Sequence, residues 1–219
     1  MRHSLFKYFS KKEHGQSFLN GSLFFRNLRY FTDYEDGDVR GDGNEGTHIY
    51  RPNGGLKLDM QKGGQANLPD HEFRASVRRD DILVFCLSMS FSDRLAKEFS
   101  SVACVEVLNK REFLKRTRDA LEAESYEVHT GPVQYRSPSL PPLHRWALPE
   151  LVCMTKTPQF LRQDEYRIAF GKPVAFAPEN VSIRIVPMGY RDTPQSSGIH
   201  QSHTVEIGNI QDLCRLHTA

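Results

Sequence analysis

No stretch of this chain of 219 residues approaches the ~20 consecutive apolar residues that a membrane-spanning helix needs. Its start, MRHSLFKYFSKK, contains no apolar run of signal-peptide length. The expectation is a cytoplasmic protein with no membrane partner. Cysteine is sparse: Cys86, Cys104, Cys153 and Cys214 stand far apart, mostly among apolar neighbours, and form no CxxC pair. That spacing argues against structural zinc and for buried free thiols in a reducing compartment. An excess of one charge is also missing, since 29 Lys and Arg meet 27 Asp and Glu for a net charge of +2. No overall field draws a polyanion, so any basic surface must be local. GxSxG, HExxH, a P-loop and a strand-borne GxGxxG are all absent. The nine histidines are scattered, so no Ser or Cys nucleophile can be matched to a His base. A convincing set of clustered acids for a metal-dependent nuclease is lacking as well, and no internal repeat is visible.

With 38% hydrophobic and 26% charged residues, the composition is that of a folded domain rather than a disordered chain. Its length suits one domain with a real core. The chain is organised around residues 158–170, PQFLRQDEYRIAF, where Gln163, Glu165 and Arg167 alternate with Tyr166, Ile168 and Phe170. Read as a strand, this puts an amide, a carboxylate and a guanidinium on one face, roughly 7 Å apart. Two readings stand open: a solvated edge strand kept soluble by charge, or a face that holds a small polar ligand.

Around that stretch, SLFKYFS reads as a first strand, KKEHGQSFL as a short helix stopped by Asn20-Gly21, and SLFFRN as a second strand with Leu23 and Phe25 on one face. Tyr30, Phe31 and Tyr34 crowd its exit, interleaved with charges, and are read as core or as a ligand surface. GDVRGDGNEG is a loop whose Asp38, Asp42, Asn44 and Glu45 depart from the EF-hand order, so no metal is expected. Residues 47–80 read as a hairpin and a surface excursion, with Gly63 and Gly64 at a mobile point. ILVFCLSMS marks a central buried strand, at whose end Ser88 and Ser90 either cap the ladder or meet a ligand. SDRLAKEF starts a helix and VACVEV forms a strand. KREFLKRTRDALEAE is an amphipathic helix with Lys110, Arg111, Lys115, Arg116 and Arg118 outside, a phosphate-contacting patch or a solvated face. GPVQYRSPSLPPLHRWALP is a proline-rich crossing, ELVCMTK a strand, VSIRIVP a late strand, DTPQSSGIHQSH a polar linker, and the tail ends in a short helix.

Gln163-Asp-Glu165 beside a strand, Ser88-Met-Ser90 at a strand end, and the aromatic exit Tyr30, Phe31 and Tyr34 together resemble the ADP-ribosyltransferase superfamily. LFKYFS, FLNGSLFFRNLRYF, VFCLSMS and DEYRIAF, in that order, are similar to an uncharacterised bacterial family of that architecture, some of whose relatives act in phage defence. One is the toxin of a toxin, antitoxin and chaperone operon that ADP-ribosylates messenger RNA. The resemblance implies a single α+β domain with a split β-sheet core and short helices. It further implies NAD as cofactor, a macromolecular acceptor (RNA before DNA, or protein), and an antitoxin or chaperone as possible partner. The family's first-strand Arg or His is not matched, because Lys7 and Tyr8 stand there while Arg2 and His3 precede the strand. The distance from Ser90 to Glu165 is long, so the basic helix and the proline-rich crossing lie inserted between the two strands.

By the same resemblance, Glu165 stabilises the positive charge that forms at the ribose when nicotinamide leaves, and Gln163 orients the incoming nucleophile. Ser88 supports Glu165 or the ribose, Tyr30 or Phe31 stacks on nicotinamide, and Arg40 or Lys7 meets the pyrophosphate, with Tyr8, Ser10, Tyr34 and Ser90 also around the cofactor. The basic helix would present a nucleic acid. Glu165→Gln is expected to keep the fold. The competing class is a non-catalytic nucleic-acid or protein binding module, in which Glu165 and Arg167 are only a structural pair.

Overall fold

The computed structural model describes residues 4–33, 42–142, 145–186 and 198–218. Tyr34 and Arg40, named above, lie outside them. In chain order the strands and helices begin with β1 (Leu5–Phe9), α1 (Lys12–Leu19), β2 (Ser22–Asn27), α2 (Leu28–Thr32), β3 (Thr47–Tyr50), β4 (Leu56–Asp59), β5 (Gln65–Leu68) and β6 (His71–Val77). They continue with β7 (Leu83–Ser88), α3 (Asp93–Glu98), β8 (Ala103–Val107), α4 (Lys110–Ala123), β9 (Glu127–Pro132), β10 (Gln134–Tyr135), α5 (Pro149–Val152) and β11 (Thr155–Lys156). A 3-10 turn, Pro158–Gln163, leads into β12 (Glu165–Gly171); β13 (Pro178–Ile185), β14 (Ser202–Glu206) and β15 (Cys214–Thr218) complete the set. The fold is mixed α+β with several sheets. No described helix is long and apolar enough to cross a membrane.

The apolar run of β7 makes it the centre of the main sheet. Along one edge it pairs with β12 from Ser88 opposite Glu165 to Leu83 opposite Phe170. The other edge is shared: Leu83 and Val84 face Asn27 and Arg26 of β2, and Ser88 faces Phe6 of β1. Between those contacts, Phe85, Cys86 and Leu87 have no strand on that side among the described residues. The sheet therefore splits along β7. Beyond the split, β2 pairs with β14, while β1 pairs with β8 and β8 with β15; β9 lies outside β12.

Alternation gives each strand two different faces. Phe85 and Leu87 with Tyr166, Ile168 and Phe170 join Phe18, Phe25 and Phe113 in one core, closed by α1 and α4. Val84 and Ala169 belong to a second core with Val152, Cys153 and Met154. Burying each large aliphatic or aromatic side chain contributes about 1.5–3 kcal/mol. Residues 47–80 build β3, β4, β5 and β6; β6 sits between β3 and β13, and its Ala75 and Val77 enter the second core. Gly63 and Gly64 occupy the connection between β4 and β5. The stop at Asn20-Gly21 has a steric cause: Gly21 has φ +100°, and a Cβ there would meet the Gly208 carbonyl oxygen at 2.0 Å.

Three sequence expectations change. ELVCMTK is not a strand: Pro149 stands at the first turn of α5, and only Thr155–Lys156 is extended. The tail ends in β15, because pairing with β8 along its length outweighs local helix preference. The linker after Asp192 lies partly outside the described residues, and its end, from Ser202, is already β14 on β2. In addition, β9 is a strand where no element was expected, and its last two residues open the proline-rich crossing.

Candidate active site

The split in the sheet opens into a cleft of about 710 Å³ whose walls include Lys7, Tyr8, Arg26, Tyr30, Lys156 and Glu165. β7 supplies one wall, and there Lys7 Nζ crosses the gap to donate to the Cys86 carbonyl at 2.7 Å. Lys7 thereby serves the backbone group that a strand would otherwise have paired. Its ammonium also lies 4.2 Å from the centre of the Phe85 ring.

Glu165 opens β12 at the cleft floor. The solvated-edge reading fails, because β12 lies between β7 and β9 and is buried throughout. The single-strand reading of Gln163 is corrected too. Pro158 begins a 3-10 turn that carries Gln163, and Asp164 sits in the left-handed region at φ 43°, which breaks the alternation before Glu165. Gln163 still reaches the same place, from the turn rather than from the strand. Ser88 fixes that turn: its hydroxyl lies 2.9 Å from the Gln163 carbonyl and 3.0 Å from the Ser90 carbonyl, and it accepts from the Ser90 amide. The ladder-capping reading of Ser88 thus describes its bonds, although it also lines the cleft.

Below the floor lies a charge-balanced cluster that the sequence reading did not assemble. Arg167 donates from Nε to Glu165 Oε1 at 2.5 Å, and its two terminal nitrogens hold Glu45 Oε1 and Oε2 at 2.5 and 2.8 Å. Lys156 Nζ donates to Glu165 Oε2 at 2.8 Å and to Gln163 Oε1 at 3.0 Å. The Glu165 amide donates to Tyr135 Oη at 2.9 Å. Two carboxylates meet two cations with almost no solvent. Glu45, weighed in the sequence only as a cation ligand, is spent on Arg167, and Asp42 caps the Asn44 amide. Among the described residues no group of His, Cys, Asp and Glu is placed to hold a metal ion. The available signal was a lone charge inside apolar text, Lys156 after LVCMT, since a buried cation must have a partner.

Burial works against ionising Glu165, but Arg167 and then Lys156 overcome it and hold the carboxyl far below the usual range. Arg167 is likewise kept charged, against burial, by Glu165 and Glu45. Burial first and then Glu165 push the Cys86 thiol up to about 12, so it remains a neutral thiol. The two cations therefore favour the carboxylate form of Glu165, which can stabilise a cation or accept from hydroxyls.

Eight of the eleven residues expected at the site line the cleft: Glu165, Gln163, Lys7, Tyr8, Ser10, Tyr30, Phe31 and Ser88. Ser90 stands behind Ser88, bonded to it. The hydroxyl of Tyr8 accepts from the Ser92 amide at 2.8 Å, and burial pushes it up to about 12. Tyr30 and Phe31 meet edge to face at 5.3 Å. Arg26, unassigned from sequence, stacks its guanidinium 4.6 Å from the Tyr30 ring centre and 4.8 Å from that of Phe24. The basic helix changes character: Lys115, Arg116 and Arg118 are paired with Asp119, Glu112 and Glu122, and Lys110 lies over the Tyr166 ring at 3.8 Å. Comparison with protein-family models, curated proteins and solved structures finds no match.

Proposed function

We propose that this protein is an NAD-dependent ADP-ribosyltransferase that modifies a macromolecule, with nucleic acid, RNA before DNA, as the acceptor. The observation that carries the reading is Glu165, held between Arg167 and Lys156 at the floor of a cleft made by a split sheet, with aromatic rings and cations on its walls. The cleft's volume lies within the range of small-molecule sites, roughly 300–1,000 Å³. Tyr30 and Phe31 offer faces for a planar ring, and Lys7 and Arg26 offer charge for a pyrophosphate. The split-sheet arrangement itself supports an ADP-ribosyltransferase-like core.

When the nicotinamide bond of NAD breaks, positive charge gathers at the ribose carbon. A fixed carboxylate in a dry site stabilises that charge without reorganising. Arg167 and Lys156 keep Glu165 ionised, and Gln163 stands beside it to orient the acceptor. The nucleic-acid acceptor is supported by the sequence resemblance and by the cations of the cleft wall, not by α4, whose charges are mostly paired. A second reading, a binding module, is favoured by one observation: Glu165 is fully engaged by its own cations, as a structural ion pair would be. The two separate when purified protein is incubated with labelled NAD and total RNA, DNA and protein fractions. Label in one fraction supports the transferase, and absence of label from all three supports the binding module.

A further inference from the structure

The inference concerns which acceptors the cleft admits, and it rests on the transferase reading. The hydrogen-bond acceptors at the floor already carry resident cations. Oε1 of Glu165 takes Arg167, Oε2 takes Lys156, and Oε1 of Gln163 takes the same Lys156 ammonium. A lysine has no acceptor of its own, so Gln163 cannot turn its amide nitrogen toward Lys156 without setting donor against donor. Lys156 is fixed at every side: Glu45 Oε2 lies 3.9 Å from Nζ, the Phe160 ring centre 5.0 Å, and the backbone of β11 pairs with Tyr135 of β10. Its side chain is 5% exposed yet lines the cleft.

We propose that Lys156 is a positioning residue that sets acceptor selectivity, excluding guanidinium and ammonium groups and admitting a neutral, lone-pair-bearing atom of a nucleic acid. An arginine side chain presents donors only. At this floor it meets carboxylate oxygens that already accept from Arg167 and Lys156, and the like charge of the Lys156 ammonium in a site of low dielectric, where like charges repel strongly. A nucleobase nitrogen or a sugar hydroxyl carries no such charge. In the step, the bond from the ribose carbon to nicotinamide breaks and its electron pair leaves with nicotinamide. The acceptor's lone pair forms the new bond, and the acceptor's proton passes to water.

The test supplies labelled NAD with RNA and DNA or with agmatine, a free guanidinium, to the wild type, Lys156→Met and Lys156→Arg. The wild type should label nucleic acid and leave agmatine unlabelled. Lys156→Met should raise the ratio of agmatine to nucleic-acid labelling tenfold or more, and Lys156→Arg should restore the wild-type ratio. With one cation fewer beside Glu165, while Arg167, Glu45, Cys86 and Tyr135 stay, the acid limb of nicotinamide release in Lys156→Met should move to higher pH. A purely structural lysine would move the limb in the same way but leave the ratio unchanged, so the ratio decides. Equal labelling of agmatine and nucleic acid by the wild type overturns the inference alone, even if Lys156→Met fails to fold. An unchanged ratio in folded Lys156→Met overturns it as well. Absence of nicotinamide release by the wild type with every acceptor overturns the transferase reading and the inference together.

Discussion

Two buried glutamates, each in a strand, meet opposite fates in this molecule. Glu72 of β6 accepts from Arg51 and Arg184 and lies 3.4 Å from Arg74, and those three arginines reach solvent, with side-chain exposures of 41%, 29% and 19%. Glu165 of β12 is held by Arg167 and Lys156, which are 1% and 5% exposed, and it looks into the cleft of the split sheet. A carboxylate sheathed by wet arginines is neutralised and finished. One held from below by dry cations keeps its charge directed at whatever enters. The ion pair alone does not make a site; the gap in the strand pairing does.

The largest effect that sharpens this contrast is Glu165→Gln, which should lower NAD turnover by roughly a hundred- to thousand-fold, as removal of a preorganised electrostatic group does. Its consequence for the fold differs from the sequence expectation. Glu165 is buried and paired, so Gln leaves a dry cation uncompensated and should cost about 3–5 kcal/mol in denaturant unfolding. Adding Lys156→Met should recover part of that stability and none of the activity, a double-mutant cycle with a large coupling. Glu72→Gln should be milder, about 1–3 kcal/mol, because its arginines turn to water, and it should leave turnover per folded molecule unchanged.

A pH experiment probes the same interior. Burial, and then Glu45, push the Asp42 carboxyl up to about 6. Its folded value lies above the unfolded one, so its contribution is complete below about pH 4 and is lost as pH rises through 6. Glu165 has the opposite sign: its contribution is present above the ordinary carboxylate range and is lost only as pH falls through its depressed folded value. Asp42→Asn should therefore flatten the decline in stability between about pH 4 and 6, measured by unfolding at several pH values. The smallest effect belongs to α4, where Lys115→Ala with Arg118→Ala should leave the salt dependence of nucleic-acid labelling unchanged, because those cations are paired with their own helix.

The periodic elements were legible in the sequence. The apolar run of β7, the Ser92 cap of α3 and the Phe113 and Leu121 stripe of α4 follow from local pattern. Mixed text was not: β9 takes its state from lying on β12, and LVCM is an apolar run that periodicity cannot assign to helix or strand. The site was half legible. Glu165, Gln163 and the aromatics stand out in the sequence, whereas Glu45 and Arg26 join them only through tertiary pairing, Glu45 lying 122 residues before Arg167, and Lys156, 9 residues before Glu165, meets it only because the 3-10 turn between them folds back.

The most direct measurement is nicotinamide release from NAD by the wild type, Glu165→Gln and Glu72→Gln side by side, each corrected for its folded fraction. Release by the wild type and by Glu72→Gln, with almost none by Glu165→Gln, is the result predicted for a split-sheet carboxylate that acts on a ligand. Equal release by all three, or by none, would contradict it and leave Glu165 as structural as Glu72.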